Sequence, residues 1–330
     1  MFFADARPLV TGAGGFIGSH VVGRLLGAGH RVRGLVRYNG RGDVGHLTSL
    51  LPEFSPQLDV RLGEIADPFL VRELVDGCDA VLHLAALIGI PYSYVAPASY
   101  VATNINGTLN VLEACRSAKV RRVIVTSTSE VYGTAVYTPI DEKHPLQGQS
   151  PYAASKIAAD KLAESYFRSF DLPVVTLRPF NTFGPRQSAR AVIPTVLVQA
   201  LSGASEIELG NLDARRDLTF VTDTARAFEL ALEAPGIEGQ TIHLGSGKAV
   251  SIGELAESCL RIAGSSAKVV SAERRLRPKR SEVELLLCDA TNAREQLGWR
   301  PEVSLEEGIA RTADYVKSHL THYRAGDYTL

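Results

Sequence analysis

The chain has 330 residues, 45% hydrophobic and 22% charged, with a formal net charge of −1. That leaves room for one large or two modest domains with substantial cores, and it excludes a disordered or fibrous chain. The near-neutral balance supplies no global field for nucleic acid or an anionic membrane, and no apolar run reaches the ~18 residues of a membrane span. The opening residues, Met1-Phe2-Phe3-Ala4-Asp5-Ala6-Arg7, lack the basic start and long apolar stretch of a secretion signal. Cys78, Cys115, Cys259 and Cys288 lie far apart with no C-x-x-C pair. Buried free thiols in a reducing, cytoplasmic setting are therefore expected.

The first predicted strand, Leu9-Val10-Thr11, runs into Gly12-Ala13-Gly14-Gly15-Phe16-Ile17-Gly18. A helix then turns Ile17, Val21, Leu25 and Leu26 inward and stops at Gly27 and Gly29, before a second strand from Val32 to Val36. This order is the βαβ unit of a dinucleotide-binding fold. Gly12, Gly15 and Gly18 would permit the tight turn and the close approach of a pyrophosphate, which Phe16 and Ile17 meet at the positive helix start. An Asp or Glu closing the second strand would bond the ribose of NAD. Here Arg37 stands at that point with Arg41 close behind. Arg37 can pair with a 2′-phosphate and so leans towards NADP, while NAD without the acidic contact and a merely solvated arginine remain open.

A third strand through Val60-Arg61-Leu62 leads to a loop whose Glu64 and Ile65 could face the adenine. Ala80 to Ala86 reads as one apolar strand buried on both faces, ending in Leu84, Ala85 and Ala86. His83 within it reads as a core histidine, because no second His or Cys shares its spacing; no metal site is expected anywhere. Asn104 is taken to open a helix through Cys115. Arg122 to Thr126 is the next buried strand, and it delivers Ser127-Thr128-Ser129-Glu130 at its carboxyl end, where ligands bind in open α/β sheets.

Ser150-Pro151-Tyr152-Ala153-Ala154-Ser155-Lys156 reads as a capped helix start. Tyr152 and Lys156, four apart, share one helix face. An ammonium beside a phenol favours phenolate, so the pair could serve as a proton acceptor near neutral pH. An ordinary amphipathic helix carries such pairs too. After the strand from Val174 to Leu177 and the stretch Arg178-Pro179-Phe180-Asn181, the regular alternation loosens into shorter elements. The overall expectation is α/β: a Rossmann-type doubly wound parallel sheet over residues 1–178, grading into a smaller C-terminal α/β substrate lobe over 179–330. The basic run from Arg274 to Arg280 lacks interleaved aromatics, which argues against nucleic-acid binding.

The glycine turn, Leu84-Ala85-Ala86, Thr128 with Tyr152 and Lys156, and Arg178-Pro179-Phe180-Asn181 occur in the order seen in the extended short-chain dehydrogenase/reductases. The chain resembles the nucleotide-sugar epimerases, dehydratases and decarboxylases of that family from about Leu9 to the Trp299 region. Glu130 is similar to the acidic residue that 4,6-dehydratases carry and 4-epimerases generally lack, although decarboxylases of UDP-glucuronate can also have Ser-Glu there. Residues 35–42, 86–94 and 180–194 further resemble bacterial 4,6-dehydratases of the legionaminic-acid type, relatives of GDP-mannose 4,6-dehydratase.

The resemblance implies Thr128, Glu130, Tyr152 and Lys156 as catalytic residues. It implies recycled NAD or NADP held by the glycine turn, Arg37, Glu64, Ile65, residues 84–86, Thr126, Tyr152, Lys156 and Pro179. It further implies a UDP- or GDP-sugar whose diphosphate meets Arg216 and Arg277, with Asn181 beside it, Val192 and Ile193 near the base and Glu282 near the ribose. Finally, it implies a homodimer in which the Asn104–Ala118 and Tyr152–Phe170 helices pair as four.

Overall fold

The structure, a computed structural model, describes residues 6–276 and 278–323. Seven parallel strands form the large sheet: β1 (Pro8–Thr11), β2 (Val32–Arg37), β3 (Leu58–Gly63), β4 (Ala80–His83), β5 (Arg122–Thr126), β6 (Val174–Pro179) and β10 (Thr241–Leu244). Their order, β10-β6-β5-β4-β1-β2-β3, reverses direction between β1 and β4. A doubly wound sheet opens a ligand crevice beyond its carboxyl ends at such a reversal. Val81, Leu82, Val123, Ile124, Val125 and Val175 are fully buried, as apolar strands covered by helices on both faces must be. This is the expected Rossmann-type α/β fold.

The chain leaves the sheet after β6 and builds smaller elements before β10 returns to pair with β6, Thr241 opposite Thr176. A four-stranded sheet joins β7 (Asn181–Phe183), β9 (Arg215–Phe220), β11 (Ala249–Ser251) and β13 (Leu285–Leu286). A separate parallel pair joins β8 (Glu206–Leu209) to β12 (Lys268–Ser271). Phe183, Ile193, Leu197, Phe220, Leu255, Cys259 and Ile309 form the core of this lobe. The four cysteines are buried and free. Among the described residues, no helix is long and apolar enough to cross a membrane.

Two expected elements differ. The strand read as Ala80 to Ala86 ends at His83: the Leu84 amide is shared between the Thr11 carbonyl at 3.3 Å and the Thr11 hydroxyl at 3.1 Å, and the Ala85 amide turns to that hydroxyl at 3.1 Å. Asn104 does not open a helix. It lies inside a π-helical turn, Val101–Asn106, that joins Pro97–Tyr100 to Gly107–Ala118. The Asn104 carbonyl accepts the Thr108 hydroxyl at 2.6 Å. The turn also places the buried Asn104 amide against the Leu87 backbone and the Ser155 hydroxyl. Single π turns often mark functional sites.

Candidate active site

The glycine turn follows β1 directly. Gly12 sits at φ +70°, and a Cβ there would lie 2.8 Å from the Ala85 nitrogen. A Cβ on Gly18 would lie 2.2 Å from the Gly12 oxygen, so the helix can enter the turn only with glycine there. Gly15 is the N-cap of the Phe16–Gly27 helix. No side chain caps that helix and no acid lies in its first turn, which leaves its amides and the positive end of its dipole available to an anion. At the end of β5 the Thr126 hydroxyl is buried without a protein partner. These features fit a dinucleotide. Ile65 is buried beneath Gly107, Glu64 and Arg37 are exposed, and Pro179 is buried at the end of β6.

Beneath this turn a chain of hydrogen bonds fixes a histidine tautomer. The Thr11 hydroxyl accepts from two amides, so its own proton goes to His83 Nδ1, 2.8 Å away. His83 Nε2 then carries hydrogen and donates to Thr108 at 3.1 Å, and Thr108 donates to the Asn104 carbonyl. Burial, with help from the Lys156 charge, pulls His83 down to about 3 and keeps it neutral. The core reading of His83 holds. This histidine ties the cofactor turn to Asn104, and Asn104 to Ser155 on the tyrosine helix.

That helix spans Pro151–Phe170, and the Ser150 hydroxyl caps it by accepting from the Ala153 amide. Tyr152 and Lys156 are 7% and 4% exposed. Lys156 does not spend its ammonium on the phenol; Nζ donates to the Thr126 carbonyl at 2.6 Å. Burial pushes the Tyr152 phenol up, and the Glu130 charge adds to this, against a hydrogen bond from Thr128 that lowers it. The expectation of a lowered phenol is therefore corrected. Burial penalises phenolate more than the Thr128 hydrogen bond favours it, and burial lowers the Lys156 ammonium as well.

The Thr128 hydroxyl caps the short Ser129–Tyr132 turn at the Glu130 amide, 3.3 Å away. Thr128, Glu130, Tyr152 and Lys156 thus converge at the carboxyl end of β5. Tyr100, packed edge-on to Tyr152 at 6.2 Å, closes the apolar side with Ile90.

On the lobe side, Arg216 is nearly buried and pairs with Glu282 at 3.3 Å, so two expected substrate residues meet. Asn181 donates to the Asp217 carbonyl at 3.4 Å. Val192 and Ile193 open the Val192–Leu201 helix, with the Ile193 side chain 1% exposed in the lobe core. Arg274 and Arg275 both pair with Glu208, so the basic run is partly neutralised. Arg277 lies outside the described residues.

Sequence reasoning missed Asn104, Asp160, Asp217 and the role of Arg178. Asp217 is fully buried, accepts four hydrogen bonds from Ser246, Gly247 and Cys288, and is still pushed up by burial. The one signal in the sequence was Asn104 with Gly107, two poor helix formers in one helical stretch.

A family model described as GDP-mannose 4,6 dehydratase matches residues 9–312. The chain is 36% identical over 318 residues to a UDP-glucose 4-epimerase of Mycolicibacterium smegmatis, covering 94% of this chain and 99% of the relative. It is 33% identical to a dTDP-glucose 4,6-dehydratase of Streptomyces niveus, covering 95% and 93%. It superposes with a TM-score of 0.87 on the NAD-bound dTDP-glucose 4,6-dehydratase from Streptomyces venezuelae, at 31% identity, covering 96% and 98%. The glycine turn and the Tyr152–Lys156 face thus belong to a nicotinamide-dependent fold. The chain is a member of the extended short-chain dehydrogenase/reductase family of nucleotide-sugar epimerases and dehydratases.

Proposed function

We propose that this protein is a nucleotide-sugar 4,6-dehydratase that takes a UDP- or GDP-linked hexose or N-acetylhexosamine to its 4-keto-6-deoxy form. The observation that carries the reading is Glu130, two residues past Thr128 and near enough to Tyr152 for its charge to act on the phenol. The glycine turn, Glu64, Ile65, residues 84–86, Thr126 and Pro179 hold the cofactor, with Arg37 placed for a 2′-phosphate. A nicotinamide dinucleotide bound there supplies a hydride acceptor and donor.

Lys156, with the positive ring of an oxidised nicotinamide bound beside the phenol, would offset the burial that holds Tyr152 protonated; the phenolate would then take the proton of the sugar C4 hydroxyl while Thr128 hydrogen-bonds the same oxygen. Lys156 keeps a positive charge close to the end of β5. A C4 ketone acidifies the C5 hydrogen; Glu130 removes that proton and protonates the departing C6 hydroxyl. One water leaves in the net change. The hydrogen of C4 ends on C6, and the proton taken from the C4 oxygen balances the one returned to C5. Arg216, Arg277 and Asn181 serve the diphosphate. Leu109 and Phe170, both exposed on the helices expected to pair, support a homodimer through those helices.

A 4-epimerase is the second reading, favoured by the M. smegmatis relative. Purified protein incubated with UDP-GlcNAc, GDP-GlcNAc, dTDP-glucose and UDP-glucuronate separates the outcomes by mass. Loss of water supports the dehydratase, and loss of carbon dioxide marks a decarboxylase. Unchanged mass with altered stereochemistry as the sole outcome overturns the role of Glu130.

A further inference from the structure

Beneath the converging side chains lies a buried polar knot that the proposed reaction does not use. Arg178, at the end of β6, is 3% exposed, and all three guanidinium nitrogens are engaged. Nε donates to the Ser127 hydroxyl at 3.2 Å, one Nη to Asp160 at 2.7 Å, and the other to the Tyr132 hydroxyl. Asp160 lies on the tyrosine helix, four residues past Lys156 and eight past Tyr152, and it also accepts from Ser127 at 2.6 Å. Tyr132 is fully buried and reaches His243 Nε2 at 2.5 Å. The guanidinium carbon lies 4.9 Å from the centre of the Tyr132 ring.

Ser127 immediately precedes Thr128, and Tyr132 closes the turn that begins at Ser129 and carries Glu130. One planar cation therefore grips both ends of the segment that presents Thr128 and Glu130. Backbone bonds of 2.7 Å tie the Ser127 amide to the Leu177 carbonyl and the Gln147 amide to the Val131 carbonyl, but the turn's own bonds are long, at 3.4 and 3.3 Å, and leave the side-chain ends of the segment to the guanidinium. A buried ion pair contributes little net stability compared with an apolar replacement, because desolvation offsets attraction. What it confers is geometry, since a guanidinium directs its donors in a fixed fork that lysine cannot copy.

We propose that Arg178, neutralised by Asp160, is a positioning residue that sets where Thr128 and Glu130 stand relative to the Tyr152 phenol. The Ser127 arm governs Thr128, and hence C4 oxidation. The Tyr132 arm governs Glu130, and hence the later proton transfers. This inference rests on the roles given above to Thr128, Glu130 and Tyr152.

The test uses the holoenzyme with its nucleotide sugar and the variants Arg178→Lys, Ser127→Ala and Tyr132→Phe. Arg178→Lys is expected to lower kcat about 100-fold with KM changed less than about threefold, as a displacement near 1 Å does. Ser127→Ala slows the absorbance rise of reduced cofactor on mixing with substrate. Tyr132→Phe leaves that rise intact but slows the later proton transfers and water loss, so reduced cofactor accumulates. Hydrogen exchange read by mass spectrometry accelerates in residues 127–133 of each variant and stays unchanged in β1.

If Arg178→Lys fails to fold, the two single-hydroxyl variants keep the test, since each leaves the ion pair in place. Unchanged exchange at 127–133 overturns the proposal, as does a uniform slowing of every step in proportion to lost thermal stability. Failure of the wild-type protein to reduce its cofactor with any nucleotide sugar would instead remove the proposed function, and the exchange measurement would still judge the bracket.

Discussion

The tyrosine helix and the Thr128–Glu130 segment face each other across a few ångströms, yet they are held by different means. On the helix, Tyr152 and Lys156 are placed by local periodicity, started by Pro151 and the Ser150 cap. Across from them, Thr128 and Glu130 sit on a short turn whose ends are held by Arg178, some fifty residues later in the chain. In the proposed mechanism the helix would carry the C4 proton step and the turn the residue that selects the outcome, the first on regular structure and the second on a loop supported from a rigid scaffold.

Breaking the helix side should have the largest effect. Tyr152→Phe is expected to lower turnover by at least about 10³-fold while cofactor binding, followed by fluorescence quenching, stays near wild type. Glu130→Gln should cost about 100-fold in product formation but spare C4 oxidation, so reduced cofactor builds up on mixing with substrate. A proportional loss of both steps would make the two regions one functional unit.

Acid should strain the glycine-turn side of the fold, which both regions rest on. His83 and His20 have folded values of about 3 and about 4, below the ordinary 6.5, and burial is the first cause for each. The unfolded chain therefore binds more protons between those values and 6.5. Stability is complete above about pH 6.5 and is lost as pH falls, by up to about 1.4 kcal/mol per unit for each group. Thermal melts from pH 7.5 to 5 should show the decline, and His83→Gln should flatten it. Ser150→Ala should cost about 1 kcal/mol, seen as a small drop in melting temperature. Arg37→Ala should weaken NADPH more than NADH in paired titrations, and equal effects on both would remove the tilt towards NADP.

Much of the fold was legible because apolar strands and a glycine-spaced turn follow local rules. Val81, Leu82 and Val123 to Val125 had to be buried strands, and Gly12 and Gly18 had to be glycine for the turn to close. The extent of β4 was not legible, since it depends on the Thr11 hydroxyl turning the Ala85 amide towards itself. Nor was the π turn at Asn104, which no periodicity announces and which its partners Leu87 and Ser155 complete. The Ile193 side chain went to the lobe core because an apolar first-turn residue serves packing as readily as a ligand.

The sequence by itself determined the glycine turn, the Tyr152–Lys156 register and the succession of buried strands. Each depends on neighbours within a turn or two of chain, where steric and hydrogen-bonding preferences act directly. Only the tertiary structure decided the burial of that pair and the setting of Glu130. Burial pushed the phenol up where the spacing alone had promised the opposite. Arg178, Asp160, Ser127 and Tyr132 come together only after β5, β6 and the tyrosine helix have packed. Desolvation and long-range polar contacts belong to the folded interior, and no local pattern in the chain carries them.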